Sequence, residues 1–237
     1  MRRLLHASTV AVALALAAPA VYPAAFQGEA DRVVPGGGVL VQGWKGKIPD
    51  ALRPPNTERV INDSKIAGTP ASMTINSGPP AIYWNPANTA SGDYTVKATF
   101  TEPKVMSAMS HAHPYGVFIG GNKLDTAEQS FIYCLAYGAG NRFLLRGFGP
   151  AVFQFGPPRA EAINQAVKAA DANGSVTQEI SMSVKGDAVS CTINGTAVWT
   201  GTKANVVGAG KLTSTDGNFG IRVSHNTDVN VTGFGKS

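Results

Sequence analysis

The chain has 237 residues, 43% of them hydrophobic and only 15% charged, with 27 Gly and 15 Pro. Such apolar content excludes a disordered chain, while the charge lies below the ~25% of an average domain. The formal charge of +5 is carried by scattered single Lys and Arg residues, without the basic cluster that a nucleic-acid partner requires.

Residues 1–20 carry Arg2 and Arg3, an apolar run from Val10 to Ala18, and the small-residue end Ala18-Pro19-Ala20. That layout predicts a secretory signal peptide. Its apolar run is shorter than the ~20 residues of a membrane span, and no later segment approaches that length, so no membrane span is expected. Loss of Arg2 and Arg3 would leave a charge of about +3. Residues 21–38, ending in Pro35-Gly36-Gly37-Gly38, read as a flexible leader. Residues 39–237 are expected to form a single domain, secreted or periplasmic.

From Val39 onward, short strand-like runs alternate with turn residues. In Tyr94–Phe100, Tyr94, Val96, Ala98 and Phe100 point one way and Thr95, Lys97 and Thr99 the other, as in a half-buried strand. Tyr115–Ile119, Phe131–Tyr137 and Arg142–Arg146 are more continuously apolar, as strands covered on both faces are. Gly138–Asn141 reads as the hairpin loop between the last two. Residues 160–172 place Ile163, Ala166, Val167 and Ala170 at helical spacing, which suits one short helix or an extended surface excursion. Ile180, Met182 and Val184, then Val189, Cys191 and Ile193, alternate with polar residues around the turn Lys185-Gly186-Asp187. Asn194-Gly195 is a preferred type I′ pair, so Thr196–Thr200 completes an antiparallel meander. Phe219–Val223 and Val229–Thr232 repeat the pattern. Many short antiparallel strands without intervening helices predict an all-β, two-sheet sandwich or barrel.

Gly92–Phe100, Tyr115–Ile119, Ser130–Tyr137 with Arg142–Arg146, and Val184–Gly195 closed by Asn218–Ile221 occur in an order that resembles the concanavalin A-like lectin/glucanase jelly roll. Within it they resemble the DUF1080, or 3-keto-disaccharide hydrolase-like, branch of secreted bacterial domains. The resemblance covers residues 90–234. It implies a jelly-roll sandwich whose concave sheet holds a carbohydrate. By resemblance and strand position, the candidate ligand-binding residues are Trp84, Tyr115, Tyr133, Tyr137 and Arg146, with His111 and His113 at a rim. Flat rings can cover a sugar face while polar neighbours bond its hydroxyls.

Chemistry beyond binding has little support in the sequence. No two carboxylates lie i, i+2 in a confident strand, and the Glu-x-Asp-x-x-Glu strand of laminarinase-type members is absent, although a hydrolase needs two carboxylates about the scissile bond. No Gly-x-Ser-x-Gly elbow is present. His111-Ala112-His113 would chelate a metal only with a third ligand, for which His225 and Asp125 are candidates; two loop histidines are the plainer reading, and neither metal nor cofactor is expected. The two cysteines, Cys134 and Cys191, suit either one disulfide in an exported chain or two buried thiols. Three functions stay open: binding of a carbohydrate or cell-envelope glycan, hydrolysis of a glycosidic bond, and a structural role in the envelope. A sheet face filled by the chain's own loops would favour the last.

Overall fold

The computed structural model describes residues 30–50, 59–105, 113–155 and 163–237. They form an all-β jelly-roll sandwich of two sheets. The first has eight strands in the order β1 (Gly38–Val39), β3 (Lys65–Thr69), β4 (Ser72–Asn76), β15 (Asp228–Lys236), β6 (Tyr94–Glu102), β11 (Val176–Lys185), β12 (Ala188–Ile193) and β13 (Thr196–Thr202). The second has seven: β10 (Val152–Phe155), β9 (Phe143–Phe148), β8 (Ser130–Tyr137), β7 (Pro114–Asn122), β14 (Gly217–Val223), β5 (Ala81–Ala90) and β2 (Lys45–Lys47). β1 and β3 pair in parallel; the other pairs are antiparallel.

The two sheets differ in how their faces are covered. In the eight-stranded sheet the predicted alternation holds. Tyr94, Val96, Ala98 and Phe100 of β6 and Ile180, Met182 and Val184 of β11 are buried in the core between the sheets, while Thr95, Lys97 and Thr99 turn outward. β8 is buried at every position, as its continuous apolar run predicts. Ile132, Cys134 and Ala136 join the core between the sheets, and Phe131, Tyr133 and Leu135 join a second cluster on the far face.

The predicted meander is present. β11 pairs with β12, and β12 with β13. Asn194 and Gly195 have φ of 50° and 81°, the two left-handed positions that a type I′ turn requires. Cys134 of β8 and Cys191 of β12 are joined as a disulfide, tying one sheet to the other.

Residues 163–172 form turns and irregular chain rather than a helix; 160–162 lie outside the described residues. Their backbone groups bond elsewhere. Gln178 accepts from the Lys168 N–H and donates to the Lys168 carbonyl. Asn194 donates to the Ala166 carbonyl, and Asn164 N–H to the Asn141 carbonyl. Val167, fully buried, is the anchor. Among the described residues the α-helix that forms, α1 (Lys203–Val206), has four residues and lies elsewhere.

Residues 30–38, read from sequence as leader, are packed on the domain. Asn226 accepts from the Arg32 N–H and donates to the Ala30 carbonyl. The Arg32 guanidinium bonds Asp228 and the Ser77 carbonyl.

Candidate functional site

Strand register fixes which side chains share the outer face of the seven-stranded sheet. Gln154, Arg146, Tyr133, Phe118, Gly220, Trp84 and Lys45 are consecutive partners across β10, β9, β8, β7, β14, β5 and β2. One row further along, Leu144, Leu135, Gly116, Arg222, Ile82 and Lys47 follow in the same way. Tyr137 lies on the same face of β8, two steps beyond Leu135. Trp84, Tyr133, Tyr137 and Arg146, all candidates from sequence, therefore share one face.

That face has two halves. Ile82, Trp84, Phe118, Phe131, Tyr133, Leu135 and Phe148 pack with Leu124, which the β7–β8 loop folds over them. Two lysines of β2 hold that loop down: Lys45 Nζ is 2.7 Å from Asp125, and Lys47 Nζ bonds the Thr126 carbonyl. Trp84 is therefore floor and not an exposed platform, at 2% exposure. The other half is cationic, over a floor that Tyr133, 1% exposed, shares with the first and that Tyr137, 5% exposed, extends. Arg222 lies 5.7 Å from the Tyr133 ring centroid, and its Nη1 donates to the Ala81 carbonyl at 3.4 Å. Arg146 Nη2 donates to Gln154 at 2.9 Å. Arg146 and Leu144 are half-buried and Gln154 is exposed, so this half meets solvent at the β9–β10 edge.

Burial dominates the electrostatics here. It lowers the Arg222 pKa from 12.5 to about 10, with the positive charge of Arg146 adding to the effect. The guanidinium still carries its charge at neutral pH. Burial also raises the Tyr133 hydroxyl, against the pull of Arg222 and Arg146. Among the described residues no carboxylate forms an ion pair with Arg222 or Arg146. The described carboxylates paired near this face sit at its rim, Asp125 on Lys45 and Asp50 on Lys47.

The remaining sequence candidates lie elsewhere. Tyr115 is on the opposite side of β7 from Phe118, fully buried between the sheets and stacked on Phe100 at 5.5 Å. This corrects its placement among the face residues; the period-2 pleat sends it inward. Its hydroxyl faces Glu102, a buried carboxyl at the end of β6 that abuts Gly138. Burial raises the Glu102 pKa to about 7, and the facing Tyr115 hydroxyl opposes that shift.

His113 is 6% exposed and lies at one end of the sandwich, its ring 4.4 Å from His225. His225 Nδ1 is 2.8 Å from Asp31. Asp125, the other sequence candidate for a third metal ligand, sits apart on Lys45, and His111 falls outside the described residues. Among the described residues no three His, Cys, Asp or Glu side chains converge on one point.

Sequence reasoning missed Arg222. It alternates with Phe219, Ile221 and Val223 as a solvent-facing residue would, yet it is 5% exposed because the outer face of this sheet is itself covered. The only hint was the continuously apolar character of its neighbour, β7.

No family model and no curated protein matches the chain. The narrower resemblance to 3-keto-disaccharide hydrolase-like domains therefore has no such match behind it. Among solved structures, the chain is similar in fold to a carbohydrate-binding module from Bacillus subtilis. The two are 11% identical with a TM-score of 0.48, over 84% of this chain and 99% of that one. It is also similar to a Bacillus subtilis protein of unknown function with a galectin-like fold, at 10% identity and TM-score 0.49, over 81% of this chain and 88% of that one. A glycosidic hydrolase gives 10% and 0.46, over 80% and 86%. These are likenesses of fold alone; the sandwich rests on its own strand pairings.

Proposed function

We propose that the chain is an exported carbohydrate-binding sandwich that holds a cell-envelope or extracellular glycan against the outer face of its seven-stranded sheet. The observation that carries this reading is the row Tyr133, Arg146 and Gln154 across β8, β9 and β10, with Arg146 half-buried, Gln154 exposed, and carboxylates only at its rim among the described residues. The Arg146 guanidinium fork and the Gln154 amide can hydrogen-bond a sugar above a floor of buried rings that includes Tyr133. Hydrolysis would need a paired acid and base across the scissile bond. Glu102 has the raised pKa of a general acid, but it lies at the end of the core between the sheets. The Cys134–Cys191 bond supports an oxidising compartment, secreted or periplasmic.

Affinity electrophoresis through gels cast with neutral and acidic polysaccharides tests this. The expected result is retardation in at least one gel without release of reducing ends. Release of reducing ends would replace binding with hydrolysis. The enclosure of the apolar half under Leu124 favours a second reading, a structural envelope domain; retardation by none of the gels would establish it in place of the first.

A further inference from the structure

The two arginines on the outer face pose a physical problem. Arg222 is 5% exposed, and its Nε has no hydrogen-bond partner among the described residues. The Nε of Arg146 is likewise buried and, among the described residues, unpartnered. Neither guanidinium has an ion pair among the described residues, and each charge acts unfavourably on the other. A buried charge without a counter-ion costs several kcal/mol, and a second charge of the same sign adds to that. What would offset the cost is an anion with two oxygens, because the guanidinium fork matches a carboxylate in bidentate geometry.

The surroundings narrow the anion further. Tyr133 lies under Arg222, Tyr137 extends the same face, and Gln154 holds Arg146 at the open edge. An inorganic ion would need only the charges. A pyranose ring bearing a carboxylate would also offer hydroxyls to the exposed Gln154 amide and the half-buried Arg146 guanidinium, above the buried rings of Tyr133 and Tyr137. On the reading that this face binds a glycan, we infer that Arg222 and Arg146 form a subsite for the carboxylate of a uronic-acid residue, so the ligand class is an acidic polysaccharide.

Affinity electrophoresis with polygalacturonate, its fully methyl-esterified form, dextran sulfate and a neutral β-glucan tests the subsite. Esterification removes the charge and keeps the sugar. The wild-type chain is expected to bind polygalacturonate at least tenfold more tightly than the ester. Arg222→Met should lose that preference while melting at the same temperature or higher, since an apolar side chain replaces an unpaired buried charge. Arg146→Gln, at a half-buried position, should lose it too and serves if Arg222→Met does not fold. Equal binding of ester and acid overturns the inference, as does a preference that survives in Arg146→Gln. Equal retardation of all three proteins by dextran sulfate, with no preference for polygalacturonate over its ester, would show a general polycation effect and also overturn it. If the neutral glucan is bound and polygalacturonate is not, the uronate subsite fails while glycan binding stands. If nothing is bound, both fail.

Discussion

A carboxyl group shut inside a protein makes stability depend on pH, and Glu102 is such a group. Burial raises its pKa from 4.5 to about 7, so the folded state holds the proton more tightly than the unfolded chain does. Its contribution is fully present below pH ~4.5 and is lost as the pH rises through ~7, worth at most about 3 kcal/mol across that window. Urea unfolding at pH 4.5 and pH 8 should show the wild type weaker at the higher pH. Glu102→Gln, which carries no proton to lose, should be less sensitive and the more stable of the two at pH 8. Parallel pH profiles for the two proteins would contradict this. Glu102 was not singled out in the sequence, because only the end of β6 meeting Tyr115 and Gly138 buries it. The same limit hid Arg222. Alternation tells which side of a strand a residue takes, but not whether that side faces water. Tyr115 shows the converse: its strand was legible, and its direction into the core came only from the register of β7.

At the scale of elements, the strands with the strongest period were the most legible. The Tyr94–Phe100 strand and the 180–200 meander appear where alternation and the Asn194-Gly195 turn predict them. The 160–172 segment was ambiguous because its apolar face is mostly Ala, and tertiary bonds from Gln178 and Asn194 decide its irregular path. Pairing of the cysteines was likewise undecided, since contact across two sheets is not a local property. The bond closes a separation of 57 residues, for which the loop-entropy estimate is about 4 kcal/mol. Cys134→Ala with Cys191→Ala should therefore lose about 2–4 kcal/mol, read as a urea midpoint at least ~1 M lower. An unchanged midpoint would mean that the bond adds nothing beyond the packing of the sheets.

At the scale of the whole molecule, the two sheets offer a ligand different things. The outer face of the eight-stranded sheet is a solvated lawn of Thr, Ser and Asn, with Thr74 bonded to Asn230 and Thr101 to Thr177. The outer face of the seven-stranded sheet concentrates aromatic rings and two guanidiniums. The chain order implied a sandwich, but the choice between faces depends on strand register. Affinity electrophoresis of two variants, in the polysaccharide gel that retards the wild type, measures that choice. Tyr133→Phe combined with Arg146→Gln should abolish or cut retardation at least tenfold, and Lys97→Ala combined with Thr99→Ala, on the opposite sheet, should leave it unchanged. Full retardation of the first pair, or equal loss in both, would contradict the account.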